Sequence, residues 1–320
     1  MCDDLIYPIQ KLQINKMKKY LMMLLLCAMT CVSVFGCEIC GCGNSNFQIG
    51  LLPSFSKGFL GVRYSMSQFS SIVKEDQTQY SHDYFKITEL WGGYNFNKLQ
   101  VMAFVPHIIS RKESDDGVTA SQGIGDVMLL LNYKLFSSTA ISNNESTTIR
   151  HELYAGGGIK LPTGVNRVNV DDPGFNIGDF NSQVGTGSVD YLLNLTHNMM
   201  WNRSGIVTNV AYRINSSNSQ DYRFGNRAYL NGSYYYTITA GVMKIKPSAG
   251  VNYQANAVNT FSGLNVVDSN GYNLNATLGV NVLYNKIGVS AMAFLPVAQE
   301  IYAGQTELKS RVMLGLTYSF

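Results

Sequence analysis

The sequence predicts an all-β fold, a transmembrane antiparallel β-barrel of about twelve strands that follows a cleaved signal peptide. Hydrophobicity has a period of two from about residue 57 onward, the alternating runs are long, and a short apolar segment stands near the N-terminus. Charged residues make up 14% of the chain, which has 30 Gly and 20 Tyr, and this composition favours strands over a helical enzyme. A mean hydropathy of -0.01 argues against a bundle of membrane helices.

The N-terminal segment has the form of a secretory signal. Lys18 and Lys19 precede the apolar run 20–35, and Gly36 and Cys37 follow it, so residues 17–36 are assigned to the signal peptide. Met17 stands directly before the two lysines, and we therefore interpret residues 1–16 as a mis-assigned extension; a genuine N-terminal tail is the alternative. The remaining chain divides into a periplasmic, cysteine-containing tail over 37–56 and the barrel over 57–320.

Alternation is clearest between Tyr272 and Tyr284. One face of this segment carries apolar side chains and the other carries Asn, Thr and Gly, which identifies a strand with one apolar and one polar face. Tyrosines stand at both ends of the apolar face, where an aromatic girdle would meet the two lipid interfaces. The final strand likewise places Tyr318 and Phe320 on its lipid-facing side.

Twelve segments share this pattern, and each is long enough for a tilted membrane strand of about 9–11 residues. They are predicted at 57–71, 84–96, 99–112, 122–137, 149–162, 188–201, 205–216, 226–238, 243–256, 271–284, 287–299 and 308–320. A soluble β-sandwich also alternates, but its strands are typically about 5–6 residues long. The lengths therefore favour the membrane barrel.

The connections between these segments alternate in length. Short turns are predicted at 97–98, 202–204, 239–241 and 285–286, and long loops at 72–83, 113–121, 163–187, 217–225, 257–270 and 300–307. Short periplasmic turns and long outer loops are typical of bacterial barrels, and an even strand number returns both termini to the periplasm. The connection at 138–148 is an exception, because it is long where a short turn is expected.

All six cysteines precede residue 43, and three of them form a C-x-x-C-x-C cluster at Cys37, Cys40 and Cys42. Thiolates at this spacing are candidate ligands for a soft metal ion such as Cu or Zn. Two further interpretations stay open: Val34 to Cys37 resembles a lipobox, which would make Cys37 a lipidated anchor, or a disulfide forms within the cluster.

Several charged residues fall on predicted inward faces. Inside a barrel such groups set the path of a solute or pair with each other to fill the interior, and both readings stay open. The candidate lumen residues are Asp126, Glu152, Lys160, Asp190, Arg213, Arg227 and Arg311.

Other functional classes find little support in the sequence. Four histidines are scattered without paired spacing, and no pattern singles out a Ser, His and carboxylate constellation, so no enzymatic activity is predicted. Of 24 basic and 21 acidic residues, four lysines and two aspartates precede residue 37, which leaves the exported part nearly neutral. We therefore expect no nucleic-acid partner.

Three phrases in the chain resemble an outer-membrane family labelled MetA-pathway of phenol degradation. They are the phrase from Gly123 to Leu135, the phrase Gly-Ile-Lys-Leu-Pro-Thr-Gly at 158–164, and the phrase from Gln183 to Asp190. The chain is also similar to exported Bacteroidetes-type proteins that begin with a Cys-x-x-Cys-Gly-Cys cluster. The resemblance implies a barrel that moves small solutes, hydrophobic ones among them, and it assigns no functional residue.

These observations predict a channel or transporter for small solutes in the cell outer membrane, with the 163–187 loop as a constriction. The alternative is a membrane-anchored protein whose Cys37, Cys40 and Cys42 tail binds metal or a redox partner. The expected partners are outer-membrane lipid, a small-molecule solute and the barrel-assembly machinery, because a C-terminal strand ending on Phe320 resembles the signal which that machinery reads.

Overall fold

A computed structural model of the protein describes residues 57–72, 80–114, 117–141, 148–172, 175 and 177–320. These residues form seventeen strands and one 3-10 helix, η1. The elements are β1 (Gly58–Ile72), β2 (Tyr80–Phe96), β3 (Leu99–Ser114), β4 (Gly117–Ile124), β5 (Met128–Ile141), β6 (Thr148–Lys160), η1 (Ile177–Ser182), β7 (Asp190–Trp201), β8 (Ser204–Ile214), β9 (Tyr222–Arg223), β10 (Arg227–Tyr236), β11 (Ile238–Ala240), β12 (Met243–Asn256), β13 (Thr260–Phe261), β14 (Leu264–Asn265), β15 (Gly271–Tyr284), β16 (Ile287–Ile301) and β17 (Thr306–Ser319). Within these ranges, no helix is long and apolar enough to cross a membrane.

The main sheet closes on itself. Its order is β1, β2, β3, β5, β6, β7, β8, β10, β12, β15, β16 and β17, after which β17 pairs with β1. All of these pairs are antiparallel. The short strand β4 lies beside β3 above β5, and β11 lies beside β12 below β10, so neither adds a position to the ring. The predicted twelve-strand antiparallel barrel is confirmed.

The stagger of the barrel follows from the strand register. Stepping through paired residues once round the ring leads from Phe59 to Ser71 on the same strand, which is 12 residues further along. With strands about 4.8 Å apart and a rise of about 3.3 Å per residue, this stagger gives a tilt of about 35° and a backbone radius of roughly 11 Å. The inward side chains therefore decide how much of the lumen remains open.

The outward face of the barrel is apolar. On β17, Val312, Leu314 and Leu316 are exposed by 42–55%, and the same alternation runs through the other long strands. The outward positions of β1, β7, β8, β10, β12 and β15 carry no Asp, Glu, Lys or Arg, whereas Lys86 on β2 is exposed between Tyr84 and Tyr94. The outward aromatic residues include Tyr94, Phe96, Tyr133, Phe136, Trp201, Tyr234, Tyr236, Tyr284, Tyr318 and Phe320 near one end, and Tyr64, Tyr84, Tyr191, Tyr212, Tyr253 and Tyr272 towards the other. Such a belt matches the lipid-facing surface of a membrane barrel.

Tight turns define one end of the barrel, called the turn end here. They connect strands at 97–98, 202–203, 241–242 and 285–286, as predicted to within about two residues. Asn97, Asn202 and Asn285 adopt φ values of 57°, 52° and 51°, and Gly241 has a φ of 59°. Asn and Gly tolerate this left-handed conformation better than other residues, which explains why they occur at these two-residue hairpin turns.

The opposite, loop end differs from the sequence prediction at two hairpins. The predicted loop 113–121 is wrong because β3 and β4 stay paired as far as Ser114 and Gly117. The predicted loop 300–307 is likewise wrong, since β16 and β17 leave only residues 302–305 between them. These hairpins extend beyond the apolar belt, where both faces meet water and hydrophobic alternation no longer marks a strand. At the turn end, the exceptional connection predicted at 138–148 is shorter than predicted, because β5 ends at 141 and β6 begins at 148.

One side of the inward face is packed with apolar side chains, and we call this cluster the apolar wall. Phe59 and Trp91 meet edge to face with ring centroids 4.6 Å apart, and Trp91 stacks on Phe104 at 6.1 Å. All members are exposed by 7% or less, so they form a core inside the barrel rather than a wetted surface. The wall consists of Phe59, Trp91, Met102, Phe104, Met128, Leu130, Leu192, Ala211 and Tyr229.

Candidate functional site: the lumen and its loop end

Three of the predicted lumen residues meet where β4 gives way to β5. Asp126 lies in this break, and its carboxylate accepts a hydrogen bond from Lys160 Nζ at 2.7 Å. Lys160 Nζ also lies 2.8 Å from Asp190 Oδ2. All three side chains are exposed by 3% or less, and the buried Lys160 ammonium group is paired with two carboxylates. We call these three residues the acid–lysine anchor.

The anchor holds the long loop between β6 and β7. Asp126 accepts hydrogen bonds from the backbone N–H of Gly164 at 2.9 Å and from the backbone N–H and hydroxyl of Thr186 at 3.0 and 2.6 Å. Both ends of the loop are therefore tied to one carboxylate on the barrel wall. Asp190 adds a bond from the backbone N–H of Ser216 at 3.1 Å, which links the loop between β8 and β10 to the same point.

Side chains from three loops pack together at the loop end and form what we call the mouth cluster. Phe180 of η1 stacks on Tyr222 with ring centroids 4.0 Å apart, and both are exposed by no more than 1%. Residues Tyr222 and Phe261 belong to the small sheet of β9, β13 and β14, which joins the loops that follow β8 and β12. The cluster contains Val168, Phe180, Tyr222 and Phe224, with Val170, Phe175, Ile177, Phe261 and Val266 packed against it.

The β6–β7 loop reaches across the mouth to the opposite wall. Asn181 donates a hydrogen bond from its side-chain amide to the hydroxyl of Tyr302, which lies in the β16–β17 turn. Val184 packs against Ile87 and Ile108 on β2 and β3. This loop, which the sequence predicts as a constriction, therefore lies over the lumen.

The sequence analysis missed a further buried ion pair. Arg63 on β1 and Glu89 on β2 form a salt bridge, with side-chain exposures of 5% and 3%. The Arg63 guanidinium lies 5.1 Å from the centre of the Trp91 ring, so the pair borders the apolar wall. The two-residue alternation of the sequence could have identified Arg63 as an inward residue, because it stands between the outward side chains Val62 and Tyr64.

The other predicted lumen residues contact further groups on the barrel wall and at the mouth. Arg213 donates a hydrogen bond to the hydroxyl of Tyr229 at 2.7 Å, and Arg311 donates one to Ser67 Oγ at 3.1 Å. Arg227 is 1% exposed, and its guanidinium lies 6.0 Å from the centre of the Phe224 ring in the mouth cluster. Glu152 lies near the turn end, with Lys134 Nζ 3.9 Å from its Oε1. The predicted charges are thus spread over the height of the lumen.

A row of amide and hydroxyl side chains crosses the inner wall from β7 to β15. Thr196, Asn209, Asn231, Asn252 and Asn275 are paired in register on five adjacent strands. Asn209 donates to the Thr196 hydroxyl at 2.8 Å, Asn252 donates to Asn231 Oδ1 at 2.6 Å, and Asn275 donates to Asn252 Oδ1 at 3.2 Å. We call these five residues the amide row. It forms a continuous uncharged polar strip inside the barrel.

The candidate metal ligands Cys37, Cys40 and Cys42 lie outside the described residues, as do the predicted signal peptide and periplasmic tail. Within the part of the chain that the structure describes, no group of three or more His, Cys, Asp and Glu side chains is placed to hold a metal ion. His151 and His197 do come together, with Nδ1 and Nε2 3.2 Å apart, on the outward face of β6 and β7.

No protein-family model matches the sequence, and no curated protein matches it. Among solved structures, the chain is similar to the COG4313 outer membrane channel from Pseudomonas putida F1, with a TM-score of 0.58 and 14% identity over 85% of this chain and 100% of that chain. The chain has the fold of an outer-membrane β-barrel. Its apolar outward belt agrees with a location in the lipid of an outer membrane.

Two other solved barrels show a weaker similarity. The β domain of the Bordetella autotransporter BrkA has a TM-score of 0.44 and 11% identity, over 82% of this chain and 100% of that chain. The NanC porin has a TM-score of 0.39 and 10% identity, over 82% of this chain and 100% of that chain.

Proposed function

We propose that the protein is a passive outer-membrane channel for small solutes, without enzymatic activity. The observation that supports this most strongly is the contrast between the two faces of the closed barrel. Its outward belt is apolar, whereas its inward face carries the amide row and buried charged groups. The similar Pseudomonas putida protein is named an outer membrane channel, which agrees with the proposal.

The loop end would control access to the lumen. The β6–β7 loop is fixed at the acid–lysine anchor and contributes Phe180 to the mouth cluster. In bacterial barrels the longer loops face the outside and the short turns face the periplasm. Solutes would therefore enter past the mouth cluster and leave at the turn end.

The finer assignments from the sequence belong to this proposal. Membership of the family labelled MetA-pathway of phenol degradation rests on the three phrases between Gly123 and Asp190. Recognition by the barrel-assembly machinery rests on β17, which pairs with β1 to close the barrel and is followed by Phe320, exposed by 53%.

Purified, refolded protein in planar lipid bilayers tests the proposal. We expect discrete conductance steps, with none from protein unfolded by heating before addition. An absence of steps, together with an absence of solute uptake into liposomes containing the folded protein, would contradict a channel.

The cysteine cluster supports a separate proposal that depends on the sequence alone. Cys37, Cys40 and Cys42 would bind one Cu or Zn ion at the start of the exported chain. Metal analysis of the exported protein should then find a stoichiometric ion that is lost in the Cys40→Ser, Cys42→Ser double variant. Metal-free native protein would leave lipidation or a disulfide as the explanation of the cluster.

A further inference from the structure

Several buried amide groups inside the barrel lack hydrogen-bond partners among the described residues. Both side-chain polar atoms of Asn194 are unpartnered, as is Oδ1 of Asn132. The same holds for Oδ1 of Asn209 and of Asn275 in the amide row, and for Nε2 of Gln254. All five residues are exposed by 6% or less. Buried amides are almost always hydrogen-bonded in proteins, so a cluster of unpartnered ones on one inner surface points to a ligand.

Two of these amides converge on a notch in the wall. Gly156 stands between Asn132 and Asn194 in register on β5, β6 and β7. A Cβ atom at Gly156 would lie 2.7 Å from Asn194 Oδ1 and closer still to Asn132 Oδ1. The glycine therefore leaves room for the two amide groups to approach each other, with unpartnered atoms of both beside the same small space. We call Asn132, Gly156 and Asn194 the amide notch.

The amide notch continues into the amide row. Asn194 and Thr196 lie two residues apart on the inward face of β7, and Thr196 accepts the hydrogen bond of Asn209, the next member of the row. The amide and hydroxyl groups of the notch and of the row thus follow one another along adjacent strands. Tyr154, below the notch on β6, adds an aromatic ring with Lys134 Nζ 5.3 Å from its centre.

The chemistry of these groups selects among solutes. Each amide offers a donor and an acceptor side by side without net charge, which matches a hydroxyl group, itself both donor and acceptor. An apolar solute would leave the buried amides unpaired, and that costs free energy. At the notch and the row, an ion would lose its hydration shell to groups that carry no opposite charge. In the acid–lysine anchor, Lys160 is paired with Asp126 and Asp190.

We propose that the amide notch and the amide row form a binding track for neutral, hydroxyl-rich solutes such as sugars or polyols. This inference rests on the proposed channel function and narrows its substrate class. It differs from the hydrophobic solutes that the family resemblance implies.

Liposome swelling with three solutes of one carbon skeleton tests the track. Glucose is neutral, gluconate is anionic and glucosamine is cationic, and each is supplied to liposomes containing the full exported chain. We expect glucose to enter fastest after correction for solute size. The Asn194→Leu variant should slow glucose by about two- to tenfold, the equivalent of one hydrogen bond, and should affect the two ions less.

The matched control is Thr208→Leu, which places the same side chain on β8, on the outward face. It should leave all three rates unchanged. Asn194→Ala removes the same amide with a smaller side chain, so a folding defect in Asn194→Leu, seen as loss of heat-modifiable migration in gels, would not prevent the test.

The outcomes separate the two proposals. If no solute enters, the channel function fails and the binding track fails with it. If solutes enter but an ion outpaces glucose, or if the Asn194 variants slow all three solutes equally, the channel stands and the binding track is overturned. Preference for glucose that is lost only in the Asn194 variants supports the track.

Discussion

The apolar wall and the amide row line the same lumen, yet they satisfy their side chains in different ways. In the wall, the rings of Phe59, Trp91 and Phe104 pack against one another, and the indole nitrogen of Trp91 is the one side-chain polar atom among these three residues. In the row, Asn209 and Asn275 make hydrogen bonds with their neighbours but keep one buried oxygen each without a partner. We infer that the wall stabilises the barrel, whereas the row retains capacity to bind a solute.

The largest expected effect comes from opening a cavity in the apolar wall. Trp91 is 7% exposed and touches aromatic rings on both sides, so Trp91→Ala should lower the free energy of unfolding by about 3–5 kcal/mol. The measurement is denaturant unfolding in lipid vesicles. The control is Leu90→Ala at the adjacent outward position, where the side chain is exposed by 48%. It should lower the free energy of unfolding clearly less than Trp91→Ala does. Equal losses would mean that the wall is not a packed core.

Removing the charge of Asp126 should have the next largest effect. Asp126→Asn leaves the buried Lys160 with one carboxylate and turns an amide N–H towards existing donors. It should lower the free energy of unfolding by about 3 kcal/mol. Because the same carboxylate holds both ends of the β6–β7 loop, the loop should become more sensitive to protease and conductance should rise. The control Asp171→Asn changes an exposed residue of that loop. Unchanged proteolysis in Asp126→Asn would show that the anchor does not hold the loop.

A smaller loss is expected inside the amide row. Asn252 donates one hydrogen bond and accepts another, so Asn252→Ala should lower the free energy of unfolding by about 1–2 kcal/mol. The same unfolding assay measures it. A stability equal to that of the native protein would mean that these hydrogen bonds contribute nothing to the fold.

The smallest effect has the opposite sign. Asn194 has two unpartnered polar atoms and is 6% exposed, so Asn194→Leu should raise the free energy of unfolding by about 1 kcal/mol. A residue that stabilises the protein when it is replaced, yet slows glucose uptake, would be retained for function rather than for folding. A marked loss of stability would contradict this view of the amide notch.

The sequence predicts the strands well because membrane strands are long and alternate strictly. Tyr272 to Tyr284 shows this most clearly, and β15 has the bounds Gly271–Tyr284 in the structure. The inward position of Asn231, Asn252 and Asn275 also follows from alternation. Their alignment in one row does not, because it depends on the register between strands joined by connections of different length.

The loop end resists prediction for a different reason. Asp126 lies within one of the predicted strands, where Gly125 is the local sign of a break. The approach of Gly164 and Thr186 has no sign in the local pattern. The mouth cluster likewise joins Phe180 and Phe261, which are far apart in the sequence and lie in segments without a hydrophobic period. Only the closed barrel brings these loops together.

The central claim, that the amide row lines the path of a solute, can be tested through single cysteines. All six native cysteines precede residue 43, so replacing all of them by Ser leaves the chain free of thiols. In that background Asn231→Cys lies on the inward face and Leu230→Cys on the outward face of β10. We predict that a charged, membrane-impermeant thiol reagent reduces conductance through the Asn231→Cys protein and leaves the Leu230→Cys protein unchanged. Unaltered conductance in Asn231→Cys, or block in Leu230→Cys, would contradict the account.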